Sequence, residues 1–431
     1  MRMARIAIFG ASGLIGGELA ERLAADGFDI LAVARRFAHG GAGSRHTRHE
    51  IPFIGMDVTT LANLLAAAEA DVVVNCVGVL QGTASYEAHV GFAARLSQAC
   101  HGRLLIHLSI PNPAQGTTDF SRTKAAAEAA LAASDVDRAV LRPGFVVAQT
   151  AYGGSALMRA LAATGLGLPT SFGAAPLMTT AVADIAATVA TLARRWRAGE
   201  RGMQFDWDVM SPEPLCANDL LDAFRARLAG PPIWLRLPHI AVSVGALAGD
   251  FAGLLGWRPP TRTTAVEELR RGISGKPETW MRDSGLTPRS LRNAMLDVTA
   301  APQDRWFARL YLWKGTAVAV LALFWIATGL IALTAAREQS VDLMQQAVPA
   351  GLSAGALATL TSLLDISLGC AIAVARTSQA GLISGIALTL VYLLFGSLLS
   401  PHLWLDPLGA YTKDLPMLLA MVAALAVSRD R

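Results

Sequence analysis

The chain has 431 residues, of which 53% are hydrophobic and only 16% charged, with a formal net charge of +4. That length allows two or three domains, and so modest a charge, without a dense basic block, gives no footing for nucleic-acid binding. The four cysteines (Cys76, Cys100, Cys216, Cys370) stand far apart without metal-ligand spacing, which predicts small buried hydrophobes in a reducing compartment.

In chain order, the first element is a strand at Ile6–Phe9 that enters the turn Gly10-Ala-Ser-Gly13-Leu-Ile-Gly16 and then a helix over 14–25. Gly10 suits the tight turn, Gly13 a close backbone approach to a pyrophosphate, and Gly16 close packing of helix on sheet. The phosphates would lie over the helix N-terminus, beside Ser12, Leu14 and Ile15. The turn interrupts the apolar run at once, so no signal peptide is expected and the nucleotide domain stays cytoplasmic. Further strands are predicted at Asp29–Ala34, Asp71–Cys76, Leu104–Leu108 and Ala139–Leu141, with helices at 60–69, 86–100 and 121–133. Strands rich in Val, Ile and Leu without polar alternation suit a parallel sheet covered on both faces. The alternation predicts an α/β doubly wound fold with its nucleotide core at 1–145.

From 146 to 300 the pattern loosens, with helices predicted at 155–163, 182–197, 217–228 and 262–271 among several prolines. This stretch reads as a substrate-side lobe and connector. The apolar run Ile240–Leu255 contains Asp250 and is short for a span, so it reads as a buried or interfacial helix. From 305 to 431 four segments have transmembrane character: 315–335, 354–375, 381–399 and 414–427. Arg305, Arg309 and Lys314 precede the first, Arg376 divides the second from the third, and Arg429 and Arg431 follow the last. This bias predicts a multi-pass protein of the inner (cytoplasmic) membrane with both termini in the cytoplasm. Trp306, Trp313 and Trp404 are candidate interface anchors, whereas Trp325 falls mid-segment and is expected against a helix or lipid tails.

Three stretches carry candidate chemistry: Leu104-Leu-Ile-His-Leu-Ser109, Phe120-Ser-Arg-Thr-Lys124 and Leu141-Arg-Pro143-Gly144. Together with the glycine turn they resemble the extended and atypical short-chain dehydrogenase/reductases, an epimerase/dehydratase-like group. The resemblance covers about residues 1–300 and is strongest up to Gly144. It implies that Ser109 orients a substrate carbonyl and Lys124 binds the nicotinamide ribose. It also implies cofactor contacts from Cys76, Val77 and Gly78 after the fourth strand, from Asp57 and Val58 on the adenine side, and from Pro143. The family's acid/base tyrosine is replaced by Phe120, whose ring neither donates nor accepts a proton. Ser121, Thr117, Thr118, Asp119, Tyr86 and Tyr152 are nearby substitutes that no spacing singles out. The plain alternatives are a turn-capping Ser109 and a solvated Lys124.

At the end of the second strand stand Arg35 and Arg36, without an acid for a ribose 2′-hydroxyl. This favours NADP(H), with NAD(H) possible; the alternative is a pair of exposed loop arginines. Asp184, in Thr180-Ala-Val-Ala-Asp184, is expected to cap a helix, and His107 to be a packed core residue. His39, His46 and His49 are expected in a solvated loop, and no metal site is predicted.

The C-terminal part resembles the DoxX-like four-span bundles, through Trp306-Phe-Ala-Arg-Leu-Tyr-Leu, Leu403-Trp-Leu-Asp-Pro-Leu-Gly409 and Lys413-Asp-Leu-Pro416. Asp365, mid-span, is either a functional carboxylate or a structural one facing Thr or Ser on a neighbouring span, such as Thr389. Two functions compete. One is a membrane-anchored reductase whose substrate is apolar or membrane-borne, a quinone or lipid intermediate. The other is a non-catalytic NADP(H)-binding structural or sensor subunit that docks through its spans onto membrane protein partners.

Overall fold

The computed structural model describes residues 3–37, 46–80, 85–347, 353–407 and 409–428. Strand β1 (Arg5–Phe9) leads through the glycine turn into α1 (Leu14–Ala25), then β2 (Asp29–Ala34) and β3 (Thr47–Glu50). There follow α2 (Val58–Ala67), β4 (Val72–Asn75), a π-helical turn (Glu87–Gly91) continuing as α3 (Phe92–Ala99), β5 (Leu104–Leu108), α4 (Asp119–Ala132) and β6 (Arg138–Pro143). With a seventh strand, Gln204–Val209, they form one parallel sheet. Its order is Gln204–Val209, β6, β5, β4, β1, β2, β3.

Alternate residues of each strand feed two cores. Ile6, Ile8, Val72, Val74, Leu104 and Ile106 pack with Leu19 and Leu23 of α1 and with the helix Val182–Arg197. Ala7, Phe9, Val73 and Leu105 pack on the other face with Leu61, Phe92 and Leu96. A strand with both faces buried has no polar alternation to display, which is why its run reads as continuously apolar.

The sheet extends past residue 145. Helix Val182–Arg197 covers one face and Gln204–Val209 adds an edge strand, so this part of the expected lobe belongs to the nucleotide core. That strand, QFDWDV, and β3, TRHE, lie at the two edges and are partly or largely exposed; they lack the apolar run that marks central strands. Because β3 is ordered, His49 sits in a strand rather than in a loop. His49 is solvent-exposed there, whereas the His46 side chain is covered, its ring 3.5 Å from Glu21. His39 lies outside the described residues. Among the described residues no group of His, Cys, Asp or Glu is arranged to hold a metal.

The chain divides into two compact units, Met1–Leu247 with Pro260–Ala308, and Ala248–Pro259 with Arg309–Arg431. Three helices of the C-terminal region, Pro302–Leu333, Ala354–Ala373 and Ser378–Leu399, are long and apolar enough to cross a bilayer. The helix Asp414–Ser428 has 15 residues, or about 22 Å at 1.5 Å per residue, short of a ~30 Å hydrocarbon core. A helix at Arg337–Ala347, rich in Gln, Glu and Asp, was not anticipated; its apolar pattern is too weak to announce it.

Small residues let these helices approach closely. A Cβ on Gly329 would lie 2.5 Å from the Ser362 carbonyl oxygen, and one on Gly381 2.8 Å from the Ile372 nitrogen. Trp325 is buried among Leu321, Leu368 and Met421, as its mid-segment position implied. Two expectations fail here. Cys370 is exposed on the outer face of its helix rather than buried. Asp365 meets Tyr392, whose hydroxyl donates to it at 3.1 Å, while the Thr389 hydroxyl is turned back to the Gly385 carbonyl. Thr389 and Tyr392 are three residues apart, and the sequence offers no way to choose between them.

Candidate active site

The glycine turn is held in place by β2. The N–H groups of Gly10 and Ala11 both donate to the Val33 carbonyl, at 3.0 and 3.1 Å. Gly10 has φ +81°, a region costly for any residue with a Cβ, and an added Cβ would lie 3.0 Å from the Cys76 carbonyl. At Gly16 a Cβ would come within 2.5 Å of the Gly10 oxygen. Gly13 is the N-cap of α1 and offers no side-chain cap. The first-turn N–H groups of Leu14 and Ile15 therefore have no partner within the helix, and Ser12 and Gly13 are exposed beside them. A turn with free N–H groups at a helix N-terminus is suited to an anion.

Around it, Arg35 and Arg36 follow β2 with exposed side chains. Asp57 is the N-cap of α2, accepting from the Thr60 N–H at 2.8 Å and the Thr60 hydroxyl at 3.0 Å. Those bonds hold its carboxyl below the usual carboxylate range. Val58 opens the same helix. A Cβ on Gly78 would meet nothing within 4 Å, so the chain leaving β4 borders open space. Pro143 ends β6, at the carboxyl edge of the sheet where ligands of doubly wound folds bind.

A buried polar cluster lies at the carboxyl ends of β4 and β5. Lys124 of α4 is buried, and its Nζ donates to the Leu108 carbonyl at 2.8 Å and the Val77 carbonyl at 3.3 Å. Burial brings its pKa down to about 8, so the solvated reading of Lys124 fails. Two carbonyls use two of its three N–H donors, leaving one. Ser109, next in the chain after Leu108, is buried and its Oγ has no hydrogen-bond partner. It is not capping a turn. His107 is a packed core residue, as expected. Its Nδ1 lies 3.1 Å from Asn75 Nδ2, and Asn75 Oδ1 accepts from the Val77 N–H. That assigns the Asn75 amide as donor and puts the His107 proton on Nε2, which has no partner.

Phe120 is edge-on to His89 of the π-helical turn, with ring centroids 5.6 Å apart. His89 Nε2 accepts from the Val79 N–H at 2.9 Å, so its proton sits on Nδ1 and points to the Thr123 hydroxyl at 2.8 Å. Burial lowers its pKa to about 3. With both nitrogens engaged, His89 is a neutral prop for the ring at position 120 rather than a proton donor. Single-turn π-helices recur at functional sites.

Thr118 and Ser121, two of the candidate substitutes for tyrosine, are engaged elsewhere. Thr118 is the N-cap of α4, and both its hydroxyl and that of Ser121 donate to Glu268 Oε1 at 2.5 Å. Tyr86 and Tyr152 are largely exposed. Glu268, on the helix Thr263–Arg271, also pairs with Arg271 at 2.8 Å, and Arg271 donates to the Asn112 carbonyl at 2.9 Å. This helix therefore latches the loop after Ser109 onto the start of α4. Neither His89 nor Glu268 was visible in the sequence; Glu268 is about 150 residues from its partners and carries no motif. Asp184 departs from expectation as well. Ala181 is the N-cap of its helix, and Asp184, three residues on, accepts from the Ala181 and Arg289 backbone N–H groups. The acid reaches back to the cap, as the N3 residue of a capping box does.

The uncapped first turn, the exposed backbone at Ser12 and Gly13 and the open space at Gly78 fit a dinucleotide. Residues 6–109 match the NAD dependent epimerase/dehydratase family, and residues 322–422 match the DoxX-like family. Among solved structures the chain is similar to the Bordetella bronchiseptica enzyme WbmH in complex with NAD+. That match has 15% identity, covers 72% of this chain and 98% of the other, and has a TM-score of 0.50. It is similar to WbmG of the same organism, in complex with NAD and UDP, at 15% identity, 68% and 92% coverage and a TM-score of 0.50. A third is UDP-glucose 4-epimerase of Thermotoga maritima with UDP-glucose, at 14% identity, 72% and 99% coverage and a TM-score of 0.50. At these identities the likeness speaks for the fold.

Proposed function

We propose that this chain, an epimerase/dehydratase-family nucleotide domain joined to a DoxX-like membrane domain, binds NADP(H) and acts as a membrane-anchored oxidoreductase on an apolar, membrane-borne substrate. The observation that carries the reading is the pair of buried groups at the end of β5, the unpartnered Ser109 Oγ and the Lys124 Nζ with one N–H to spare. An unsatisfied buried hydroxyl is costly and calls for a ligand that completes it.

In this reading the first turn of α1 holds the pyrophosphate and Arg35 and Arg36 meet a 2′-phosphate. The last Lys124 N–H goes to a ribose hydroxyl and Ser109 donates to the substrate carbonyl. NADP(H), when bound, supplies or takes the hydride. The attachment to apolar helices supports a membrane-borne substrate class such as a quinone or lipid intermediate. The Lys/Arg bias supports four spans with both termini cytoplasmic; Arg429 and Arg431, which contribute to it, lie outside the described residues.

Phe120 favours a second reading, in which the domain binds NADP(H) without turning it over and serves as a structural or sensor subunit. The proton that accompanies a hydride has no donor at position 120. The test is NADPH oxidation by the full chain in proteoliposomes, with a short-chain quinone as acceptor. The proposal expects turnover that falls at least tenfold in both Ser109→Ala and Lys124→Ala. Bound NADPH that stays reduced, and a Phe120→Tyr variant that gains activity by the 10²–10⁴ typical of a restored acid, would select the second reading. Turnover untouched by the Ser109 and Lys124 changes together would overturn the site.

A further inference from the structure

The helix His239–Leu254 is built inside out for a helix on a soluble protein. Ile240, Val244, Leu247, Phe251 and Leu254 recur at spacings of four and three, hence on one face, and are 59% to 83% exposed. The covered side carries the small residues Ala246 and Gly249. An ordinary surface helix turns its large apolar residues inward. A continuous exposed stripe marks a surface meant for something apolar.

The end of this helix is tied to the membrane unit, to which residues 248–259 belong. The Ala375 N–H donates to the Leu255 carbonyl at 2.9 Å, and Trp257 Nε1 donates to the Ala373 carbonyl at 2.7 Å. Residues 374–377 form the turn between two helices long and apolar enough to span, Ala354–Ala373 and Ser378–Leu399. Such a turn lies at a bilayer surface whichever side it faces. Trp257 is thus at the depth where indoles anchor. Arg258 next to it and Arg376 in the turn are exposed, placing positive charge where anionic headgroups lie.

We infer that His239–Leu254 is an interfacial helix that lays its Ile240–Leu254 stripe into the lipid surface beside the bundle. Its large exposed apolar residues keep to one face, as those of an in-plane helix do, whereas a lipid-facing span is apolar around its circumference.

The inference rests on the bundle being membrane-embedded, so the test reads the two separately. Single cysteines are placed at Leu247 and Phe251, at Leu390 mid-span, and at exposed Arg282, in a full-length background in which Cys216 and Cys370 are replaced and the two thiols pushed up to about 12 by burial, Cys76 and Cys100, are kept. Each is labelled with an environment-sensitive fluorophore and reconstituted one copy per nanodisc of phosphatidylethanolamine and phosphatidylglycerol. Retained NADPH binding confirms that each labelled protein is folded. The inference expects blue-shifted emission at 247 and 251, quenched at least twofold by lipids brominated near the headgroup, with no change at 282. Labels at 247 and 251 as water-exposed as the one at 282 would overturn it. So would a shift that appears only when two copies share a disc, which would assign the stripe to a second copy of the chain. A label at 390 that escapes deeply brominated lipid would instead refute the membrane reading of the bundle.

Discussion

Replacing Lys124 by Met removes a charge that the fold holds at a cost. The ammonium's pKa falls from 10.5 to about 8, which at 1.36 kcal/mol per unit corresponds to about 3 kcal/mol against the folded state at neutral pH. Removing the amine also strands the Leu108 and Val77 carbonyls, at ~1–3 kcal/mol each. The two effects oppose one another, so the net change at pH 7 is expected within about 2 kcal/mol of zero, while dinucleotide affinity falls at least tenfold. The pH dependence is sharper. Between pH 8 and 10.5 the unfolded chain keeps this proton and the folded chain has released it, so wild-type stability rises with pH. The difference between wild type and Lys124→Met should therefore climb by roughly 1.4 kcal/mol per unit over that window. Cys76 and Cys100, pushed up to about 12 by burial, pull the other way above pH 9 in both proteins and largely cancel. Pulse proteolysis in urea, in mild detergent, measures both stabilities. A loss of about 5 kcal/mol or more at pH 7, beyond what two stranded carbonyls supply, or a flat difference between pH 8 and 10, refutes a desolvated ammonium.

His89 and His107 are buried and neutral, with pKa values lowered to about 3 and well below 6.5 respectively, by burial first. The unfolded chain takes up these protons near pH 6.5 and the folded chain does not, so stability should fall as the pH drops from 6.5 towards 4. His89→Gln should reduce that slope in the same proteolysis assay. Gly16→Ala forces a Cβ to within 2.5 Å of the Gly10 oxygen, so it should cost about 1–3 kcal/mol and weaken NADPH binding by titration calorimetry. Replacing Glu268 by Gln weakens the bonds from Thr118 and Ser121 and the pairing with Arg271. Hydrogen exchange should speed up in Thr263–Arg271 and in the loop after Ser109, and leave α2 unchanged. The double change Arg35→Ser with Arg36→Ser should lower NADPH affinity at least tenfold and NADH affinity by less than twofold; equal losses would remove the case for a 2′-phosphate.

Much of the site was legible because its signals are local. A glycine at φ +81° can be read as Gly10, and a helix N-terminus as the residues that follow it. The four-residue spacing from Phe120 to Lys124 puts both on one face of α4. The props could not be read this way. His89 meets position 120 through a π-helical turn, and Glu268 reaches α4 from a helix about 150 residues away. The edge strands β3 and Gln204–Val209 were missed because an edge strand need not be apolar on both faces.

Local chemistry along the chain was enough to point to a glycine turn suited to a dinucleotide, a parallel sheet and a run of apolar helices, since each depends on residues within a few turns of one another; the absence of a tyrosine at Phe120 came only with the family resemblance. Tertiary structure alone decided that Lys124 is buried and that Ser109 lacks a partner. It alone decided that Asp365 pairs with Tyr392 and that the stripe from Ile240 to Leu254 faces outward. Burial and pairing depend on which distant segments arrive at a residue, and a sequence pattern names a face without saying what covers it.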